Sequence, residues 1–258
     1  MKQKAIPIVE IFDSIQGEGP RIRPAIFIRS GLCSLKCPGF ACKATAPDGT
    51  EVVGCDTIRA VSAKFKGQWQ YYNDFNDLVK RIQSHVHVGR HGKSIQDIIW
   101  TGGEPLLWWD TEVMQNTLAW YISRGHQVTI ETNASLDINF TRRYQKEIMF
   151  SMSPKLSNSG EPKERRLNLE TITKIAEEAP QSYLKFVVNP ETWETDKEEI
   201  FEILDGIPYY MQVFLMPLGA DRETLSKNTT FVLERCKELG FNYSDRIHIR
   251  AWNTKEGV

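Results

Sequence analysis

The chain has 258 residues, of which 41% are hydrophobic and 25% charged, proportions that exclude a collagen-like or intrinsically disordered chain. Its formal net charge of −1 gives no overall attraction to nucleic acid or to an anionic membrane. No run approaches the roughly 18 apolar residues of a spanning helix, and the first residues lack the apolar centre of a signal peptide. We therefore expect a cytoplasmic protein with no membrane and no direct nucleic-acid partner.

Short β-rich runs alternate with helical segments, which is the pattern of a parallel sheet covered by crossover helices. No repeat or long linker interrupts the chain, so we expect one α/β domain over residues 1–258. In such a fold, functional residues gather at the carboxyl ends of the strands. The predicted strands are 25–29, 97–101, 127–132, 148–153, 183–188, 212–216 and 247–251.

Three helices have recognisable ends. Apolar residues recur at helical spacing over 75–86, after a possible cap at Asn73 or Asp74. The Thr195-x-x-Glu198 capping box predicts the start of a second helix. A third helix should stop at Gly240, because glycine readily adopts the left-handed conformation that ends helices.

Four of the five cysteines lie between positions 33 and 55: Cys33, Cys37, Cys42 and Cys55. In a reducing cytoplasm, clustered thiols are more typical of metal ligands than of disulfides. Four thiolates could close a tetrahedral zinc site, whereas three would leave one iron of an iron-sulfur cube open to another ligand. The cysteines alone leave both possibilities open.

A glycine pair, Gly102 and Gly103, follows the apolar run 98–100 and precedes Glu104 and Pro105. Glycines at the end of a strand allow a ligand to approach the backbone closely. A tight turn is the ordinary explanation of such a pair. The cysteine cluster upstream makes a ligand site the stronger prediction.

The cysteine cluster followed by the Thr101-Gly-Gly-Glu-Pro segment resembles the radical S-adenosylmethionine enzymes. That resemblance implies a partial, incomplete TIM-like barrel of parallel strands with outer helices. It also implies a 4Fe-4S cluster on three cysteines. S-adenosylmethionine then binds the fourth iron through the amino and carboxylate groups of its methionine part.

A narrower resemblance is to the 7-carboxy-7-deazaguanine synthase family. It covers nearly the whole chain in order, through the segments 12–19, 24–29, 54–57, 101–105, 131–133, 153–155, 215–217 and 248–258. The family converts 6-carboxy-5,6,7,8-tetrahydropterin to 7-carboxy-7-deazaguanine, a precursor of 7-deazapurines such as queuosine, archaeosine or modified DNA bases. A 5′-deoxyadenosyl radical takes hydrogen from C6, the ring contracts with loss of ammonia, and magnesium assists. The resemblance further implies a homodimer and an electron donor such as flavodoxin or ferredoxin.

The resemblance also implies the role of each site residue, with no side chain acting as acid or base. Substrate binding falls to Ile15, Gln16, Gly17, Glu18, Arg29, Thr101, His248 and Val258. Cofactor binding falls to Asp56, Gly102, Gly103, Glu104, Thr132, Ser153, Lys155, Met216, Pro217, Leu218 and Gly219. The cluster ligands are Cys33, Cys37 and Cys55, and the magnesium ligand is Thr57.

The third cluster ligand departs from the common C-x3-C-x2-C spacing, because Phe40 stands where the third cysteine would be. Cys42 is nearer to Cys37, but Cys55 is followed by the Asp-Thr pair that the family places after its last ligand. Closing a longer loop costs only about 0.6 kcal/mol per doubling of its length. We therefore favour Cys55, with residues 43–53 of the inserted loop 38–54 folded as a hairpin around Pro47-Asp48-Gly49.

Other interpretations stay open at this level. A glycyl-radical activase would share the strand-then-cysteine pattern, and a zinc module would use all four clustered cysteines. Individual residues also have ordinary alternatives. Arg29 could form a surface ion pair, Thr57 could cap a helix, Lys155 could be solvated, and His248 could be a structural residue of a strand.

Overall fold

The structure is a computed structural model that describes residues 4–90, 92, 96–255 and 257. Its strands are β1 Ile6–Gln16, β2 Arg23–Ser30, β3 Cys42–Thr45, β4 Glu51–Gly54, β5 Gln70–Tyr72, β6 Asp97–Gly102, β7 Val128–Thr132, β8 Met149–Met152, β9 Tyr183–Val188, β10 Gln212–Pro217 and β11 Asn242–Tyr243. Its α-helices are α1 Ile58–Val61, α2 Phe75–Gln83, α3 Glu112–Ile122, α4 Lys163–Arg166, α5 Leu169–Glu178, α6 Trp193–Asp205, α7 Arg222–Leu239 and α8 Ile247–Trp252.

The main sheet has nine strands within the described residues, in the order β11-β10-β9-β8-β7-β6-β2-β1-β5. Strands β2 and β6 to β11 are mutually parallel, and β1 pairs antiparallel with both β2 and β5. The sheet is open, with β11 and β5 at its edges. The α/β fold with an incomplete barrel of parallel strands is therefore confirmed. A separate pair, β3 and β4, forms a hairpin.

The central parallel strands carry the core. All four residues of β8 are buried, and β6 and β9 are each buried at five of their six positions. Strands covered on both faces by helices need such continuous apolar runs. Six of the seven predicted strands overlap these observed strands.

The predicted strand at 247–251 is wrong, because this segment forms α8. The alternation of Ile247 and Ile249 with polar residues imitates a strand. A local ion pair instead supports helix, since the Asp245 carboxylate accepts from the backbone N–H of Arg246 at 2.8 Å and from Nε of Arg250 at 2.6 Å. The sequence also gave no indication of β1 as a strand.

Helix boundaries followed the sequence at two of three positions. Asp74 caps α2 by accepting from the backbone N–H of Asn76 at 2.6 Å, and α7 ends at Gly240 with φ of +67°. The predicted start of α6 at the Thr195 capping box is wrong, because the helix begins at Trp193. Trp193 is buried against Phe231, so tertiary packing fixes the first turn of α6.

None of the described helices has both the length and the apolarity needed to cross a membrane.

Candidate active site

A cavity of about 1010 Å³ lies beside the parallel strands. Strand β1 contributes the alternating residues Glu10, Phe12, Ser14 and Gln16 to its wall, together with Val9 and Ile15. Most of the predicted site residues lie in its wall. These are Ile15, Gln16, Glu18, Arg29, Cys33, Cys37, Cys55, Asp56, Thr57, Thr101, Gly102, Gly103, Thr132, Ser153, Lys155, Met216, Pro217, Leu218, Gly219 and His248.

Three predicted residues are placed differently. Val258 lies outside the described residues. Gly17 is absent from the cavity wall, and a Cβ at this position would come within 2.8 Å of the Ile247 Cβ, so Gly17 permits close packing against α8. Glu104 also lies behind the wall, fully buried.

The Glu104 carboxylate joins the ends of two strands. It accepts from the Thr132 hydroxyl at 2.6 Å and from the backbone N–H groups of Asn133 at 2.8 Å and Leu106 at 2.9 Å. Burial raises its pKa, and these hydrogen bonds oppose the shift. The Glu104 carboxylate thus joins Leu106, Thr132 and Asn133 beneath the wall, and the cofactor contact predicted for this residue stays a prediction.

The glycine pair is required by packing between strand ends. Gly102 has φ of +121°, and a Cβ there would lie 2.3 Å from the Ser30 carbonyl oxygen. A Cβ at Gly103 would lie 1.8 Å from the Leu32 carbonyl oxygen. These glycines let the segment after β2 press against the end of β6, directly before Cys33.

Cys33, Cys37 and Cys55 meet in the cavity wall as neutral thiols. Burial, which is the largest cause, raises the pKa of Cys33 to about 12 and of Cys37 to about 11, and it also raises the pKa of Cys55. Cys55 contributes to the raised pKa of both Cys33 and Cys37. The three thiols are thus close enough to influence one another.

Cys42 also lines the cavity, but its surroundings differ. Burial raises its pKa, Asp56 and Cys55 add to that rise, and Arg246 opposes it. Cys42 begins β3 and pairs across the hairpin with Gly54, which ends β4. The predicted hairpin of the insertion is present, and it brings Cys55 back to the cavity.

The three thiols suit an iron-sulfur cluster better than a single metal ion. In the part of the chain that the structure describes, no three His, Cys, Asp or Glu side chains surround a point suited to one metal ion. An iron-sulfur cube places each thiolate on a different iron, and its ligands are soft thiolates that lose their protons on binding. Three neighbouring thiols beside an open cavity fit such a cluster.

A charge network in the cavity wall contains two residues that the sequence analysis did not name, Lys185 and Arg246. Lys185 of β9 is 5% exposed and forms an ion pair with Glu18. Arg246 Nε lies 3.4 Å from Glu18, and its Nη2 lies 2.7 Å from Asp56. Burial would raise the pKa of Glu18, but Lys185 and then Arg246 outweigh it and lower that pKa to about 2. Glu18 is therefore ionised.

A lysine inside the apolar run Tyr-Leu-Lys-Phe-Val-Val of β9 was the available signal for Lys185. A buried lysine needs a partner, so its position should have suggested a carboxylate nearby. Arg246 had no comparable signal, because its neighbours Glu18 and Asp56 are distant in the sequence.

Glu131 lies in the cavity wall and orients two neighbouring polar side chains. Its carboxylate accepts from the Gln16 amide at 3.2 Å and from the Thr101 hydroxyl at 2.8 Å. The Ser14 hydroxyl nearby on β1 has no hydrogen-bond partner among the described residues. This part of the wall therefore contains hydrogen-bonded polar groups and one buried hydroxyl that has no hydrogen-bond partner among the described residues.

Arg29 is a cavity residue with an acidic partner. Its Nε donates to Glu10 at 2.6 Å, and its guanidinium lies 5.7 Å from the ring centre of Phe12. Phe12 stacks on Phe27 with ring centres 5.2 Å apart and planes 8° apart. The cation is thus held beside a flat aromatic surface.

Three further predicted residues, Lys155, Thr57 and His248, also line the cavity. Lys155 Nζ donates to the Ser153 carbonyl and hydroxyl oxygens, both at 3.0 Å. Thr57 precedes α1 without capping it through its side chain, and its hydroxyl donates to Asp56 at 3.0 Å. His248 lies in α8, half-buried, where burial lowers its pKa and Glu18 opposes the shift.

Comparison with known proteins gives one consistent name. No family model matches the chain. The 7-carboxy-7-deazaguanine synthase of Halobacterium salinarum is 28% identical over 96% of this chain and 91% of its own length. That of Pyrobaculum aerophilum is 28% identical over 98% and 97%, and that of Aquifex aeolicus is 30% identical over 90% and 87%.

Among solved structures, Streptococcus suis SuiB bound to the precursor peptide SuiA is similar in fold, with a TM-score of 0.50 and 15% identity. The match covers 85% of this chain and 48% of that chain, so this protein spans about half of SuiB. At this identity the likeness supports the fold alone. The 30% identity with the Aquifex aeolicus enzyme over most of both chains shows that this chain belongs to the 7-carboxy-7-deazaguanine synthase family.

Proposed function

We propose that this cavity binds 6-carboxy-5,6,7,8-tetrahydropterin next to S-adenosylmethionine, and that the chain converts the pterin to 7-carboxy-7-deazaguanine with loss of ammonia. One observation carries the proposal: a single cavity joins the thiols of Cys33, Cys37 and Cys55 to the polar wall around Glu18 and Arg29. The family assignment sets aside the glycyl-radical activase and the zinc module.

Glu18 suits the pyrimidine edge of the pterin. That edge presents an amino group and a ring N–H, and an ionised carboxylate accepts both in charge-assisted hydrogen bonds. Lys185 and Arg246 keep Glu18 ionised. The amide of Gln16, oriented by Glu131, adds a further polar group on the same wall.

Arg29 suits the carboxylate of the substrate. Its planar guanidinium can bind a carboxylate through two parallel hydrogen bonds. Glu10 already partners Nε, so the substrate would become a second anion on the same cation. The stacked rings of Phe12 and Phe27 offer a flat apolar face beside it. We place His248 and Thr101 on the substrate side of the same cavity.

The cofactor side follows from the cysteines. When bound, a reduced 4Fe-4S cluster supplies the electron that cleaves S-adenosylmethionine. Cys33, Cys37 and Cys55 would hold the cluster, and the surrounding wall would hold S-adenosylmethionine through Asp56, Gly102, Gly103, Thr132, Ser153, Lys155 and the segment 216–219. Thr57 would provide the hydroxyl for Mg²⁺, which prefers oxygen ligands and shares its shell with substrate and water.

We further propose that an electron donor such as flavodoxin or ferredoxin reduces the cluster, that the chain acts as a homodimer, and that its product enters 7-deazapurine synthesis. The test is an anaerobic assay of the reconstituted protein with the carboxypterin, S-adenosylmethionine, dithionite and Mg²⁺. We expect 7-carboxy-7-deazaguanine by mass spectrometry, and none from Cys33→Ala. Cofactor cleavage without any deazaguanine would contradict the proposed substrate.

A further inference from the structure

The segment that carries the first two predicted cluster cysteines is held by a carboxylate from a distant part of the chain. Glu161 Oε1 accepts from the backbone N–H of Lys36 at 2.5 Å and from that of Cys37 at 2.8 Å. The Glu161 side chain is 4% exposed. One buried carboxylate therefore satisfies two consecutive backbone donors, the second of them belonging to a cysteine.

Two neighbouring contacts act on the same segment. Arg165 Nη2 donates to the carbonyl oxygen of Ser34 at 2.8 Å, and its Nη1 lies 3.4 Å from Glu161 Oε2. Gly39 packs so closely on the 158–160 segment that a Cβ would lie 2.3 Å from the Asn158 carbonyl oxygen. Residues 34–39 are thus docked on residues 158–165 along their whole length.

The backbone of this segment needs such support. Cys37 has φ of +48° and Ala41 has φ of +53°, both in the left-handed region that residues with a Cβ rarely occupy. Within residues 37–41 the backbone forms two local hydrogen bonds. The N–H of Phe40 donates to the Cys37 carbonyl oxygen at 3.3 Å, and the N–H of Ala41 donates to that of Pro38 at 3.0 Å. Hydrogen bonds from outside the segment therefore stabilise its shape.

We propose that Glu161 is a positioning residue for the cluster, which fixes the backbone of residues 36 and 37 so that Cys37 faces Cys33 and Cys55. In this chain, an insertion replaces the short loop that would otherwise hold three cysteines together. The carboxylate of Glu161 instead holds the backbone at Cys37 in place. The cluster part of this inference rests on the proposed function, but the backbone part does not.

The experiment compares Glu161→Ala, Glu161→Gln and wild type, with Glu164→Ala as the matched control on the exposed face of α4. The first measurement is hydrogen exchange of the amides of Lys36 and Cys37 in the protein without iron. The second is the rate of iron loss from the reconstituted holoenzyme to a chelator. Hydrogen bonds to a charged group correspond to changes of about tenfold or more.

We expect Glu161→Ala to speed both processes by about tenfold or more. Glu161→Gln keeps an acceptor oxygen without the charge, so it should fall between the alanine variant and wild type, and it guards against a variant that does not fold. Glu164→Ala should match wild type. Unchanged exchange and iron loss in both Glu161 variants would overturn the inference alone. A wild-type protein that holds no cluster would overturn the proposed function, whatever the exchange shows.

Discussion

The two regions that supply the predicted cluster ligands are built in opposite ways. Residues 33–41 lie against the body of the fold, where Cys37 is 4% exposed and Glu161 binds its backbone. Residues 42–57 form a hairpin whose strands are mostly exposed or half-buried. Arg246 forms an ion pair with Asp56, which directly follows Cys55 at the end of this hairpin.

The difference shows how a cysteine that follows an inserted loop can be held in place. The buried carboxylate of Glu161 holds the backbone at Cys37. The hairpin instead packs on a small separate cluster around Ile58 and Trp69, and an ion pair from Arg246 holds Asp56 beside Cys55. Arg246 also pairs with Glu18, so Asp56 at the end of the hairpin and Glu18 share one cation. We therefore expect the hairpin to affect ligand binding more than overall stability.

The largest expected effect concerns the choice of the third ligand. Cys33→Ala, Cys37→Ala and Cys55→Ala should each abolish the visible absorbance of the reconstituted cluster and the cleavage of S-adenosylmethionine. Cys42→Ala should retain both, because Cys55, and not Cys42, is followed by the Asp-Thr pair expected after the last ligand. Loss of the cluster in Cys42→Ala together with its retention in Cys55→Ala would reverse the assignment.

The buried wall should be the most sensitive region in stability. Lys185→Met removes the nearer of the two cations that pair with Glu18 and leaves Arg246 at 3.4 Å, so the loss should lie at or below the roughly 3 to 5 kcal/mol typical of breaking a buried pair. Urea unfolding should show a loss of this order. Lys185→Arg should recover part of it, and Lys227→Met, at an exposed position of α7, should change little. Equal stability of Lys185→Met and wild type would show that the pair does not support this wall.

Substrate recognition should respond to Arg29 without loss of the cluster. Arg29→Ala should weaken binding of the carboxypterin by about 1.5 to 3 kcal/mol, as for other charge-assisted hydrogen bonds. Arg29→Lys keeps the charge but loses the planar fork, so it should be intermediate. An unchanged Michaelis constant in cluster-containing Arg29→Ala would remove this residue from the substrate site.

The magnesium role of Thr57 predicts a smaller, selective effect. Thr57→Ala should lower turnover and weaken the response to added Mg²⁺, while the spectrum of the cluster stays the same. Thr57→Ser keeps the hydroxyl and should behave like wild type. Full stimulation by Mg²⁺ in the alanine variant would place the ion elsewhere or exclude it from the reaction.

The smallest expected change in stability is at the hairpin anchor. The Asp56 side chain is 40% exposed, and exposed ion pairs are typically worth about 0 to 1 kcal/mol. Asp56→Asn should therefore change the free energy of unfolding far less than Lys185→Met does. A loss as large as that of Lys185→Met would show that the hairpin is as integral to the fold as the buried wall.

The parallel strands could be predicted from sequence because β6, β8 and β9 are nearly continuous apolar runs. Segment 247–251 could not, since alternating isoleucines suit both a strand and one face of a short helix. Its helix depends on the contact between Asp245 and Arg250. The missing signal for β1 has a similar origin, because one of its faces carries polar residues into the cavity.

The candidate site could be predicted from the sequence only in part. Short motifs marked the cavity wall, but the partners that hold it are distant in sequence. Glu161 lies 124 positions from Cys37, and Lys185 lies 167 positions from Glu18. Only the folded chain brings these pairs together. The motif marked the position of Glu104 but not the direction of its carboxylate, which accepts from Thr132 and Asn133.

The most direct test of the account is an anaerobic crystal structure with the carboxypterin and S-adenosylmethionine bound. We predict a 4Fe-4S cluster on Cys33, Cys37 and Cys55, the pyrimidine edge of the pterin on Glu18, and its carboxylate on Arg29. A pterin bound outside this cavity, or a cluster ligated by Cys42 in place of Cys55, would contradict it.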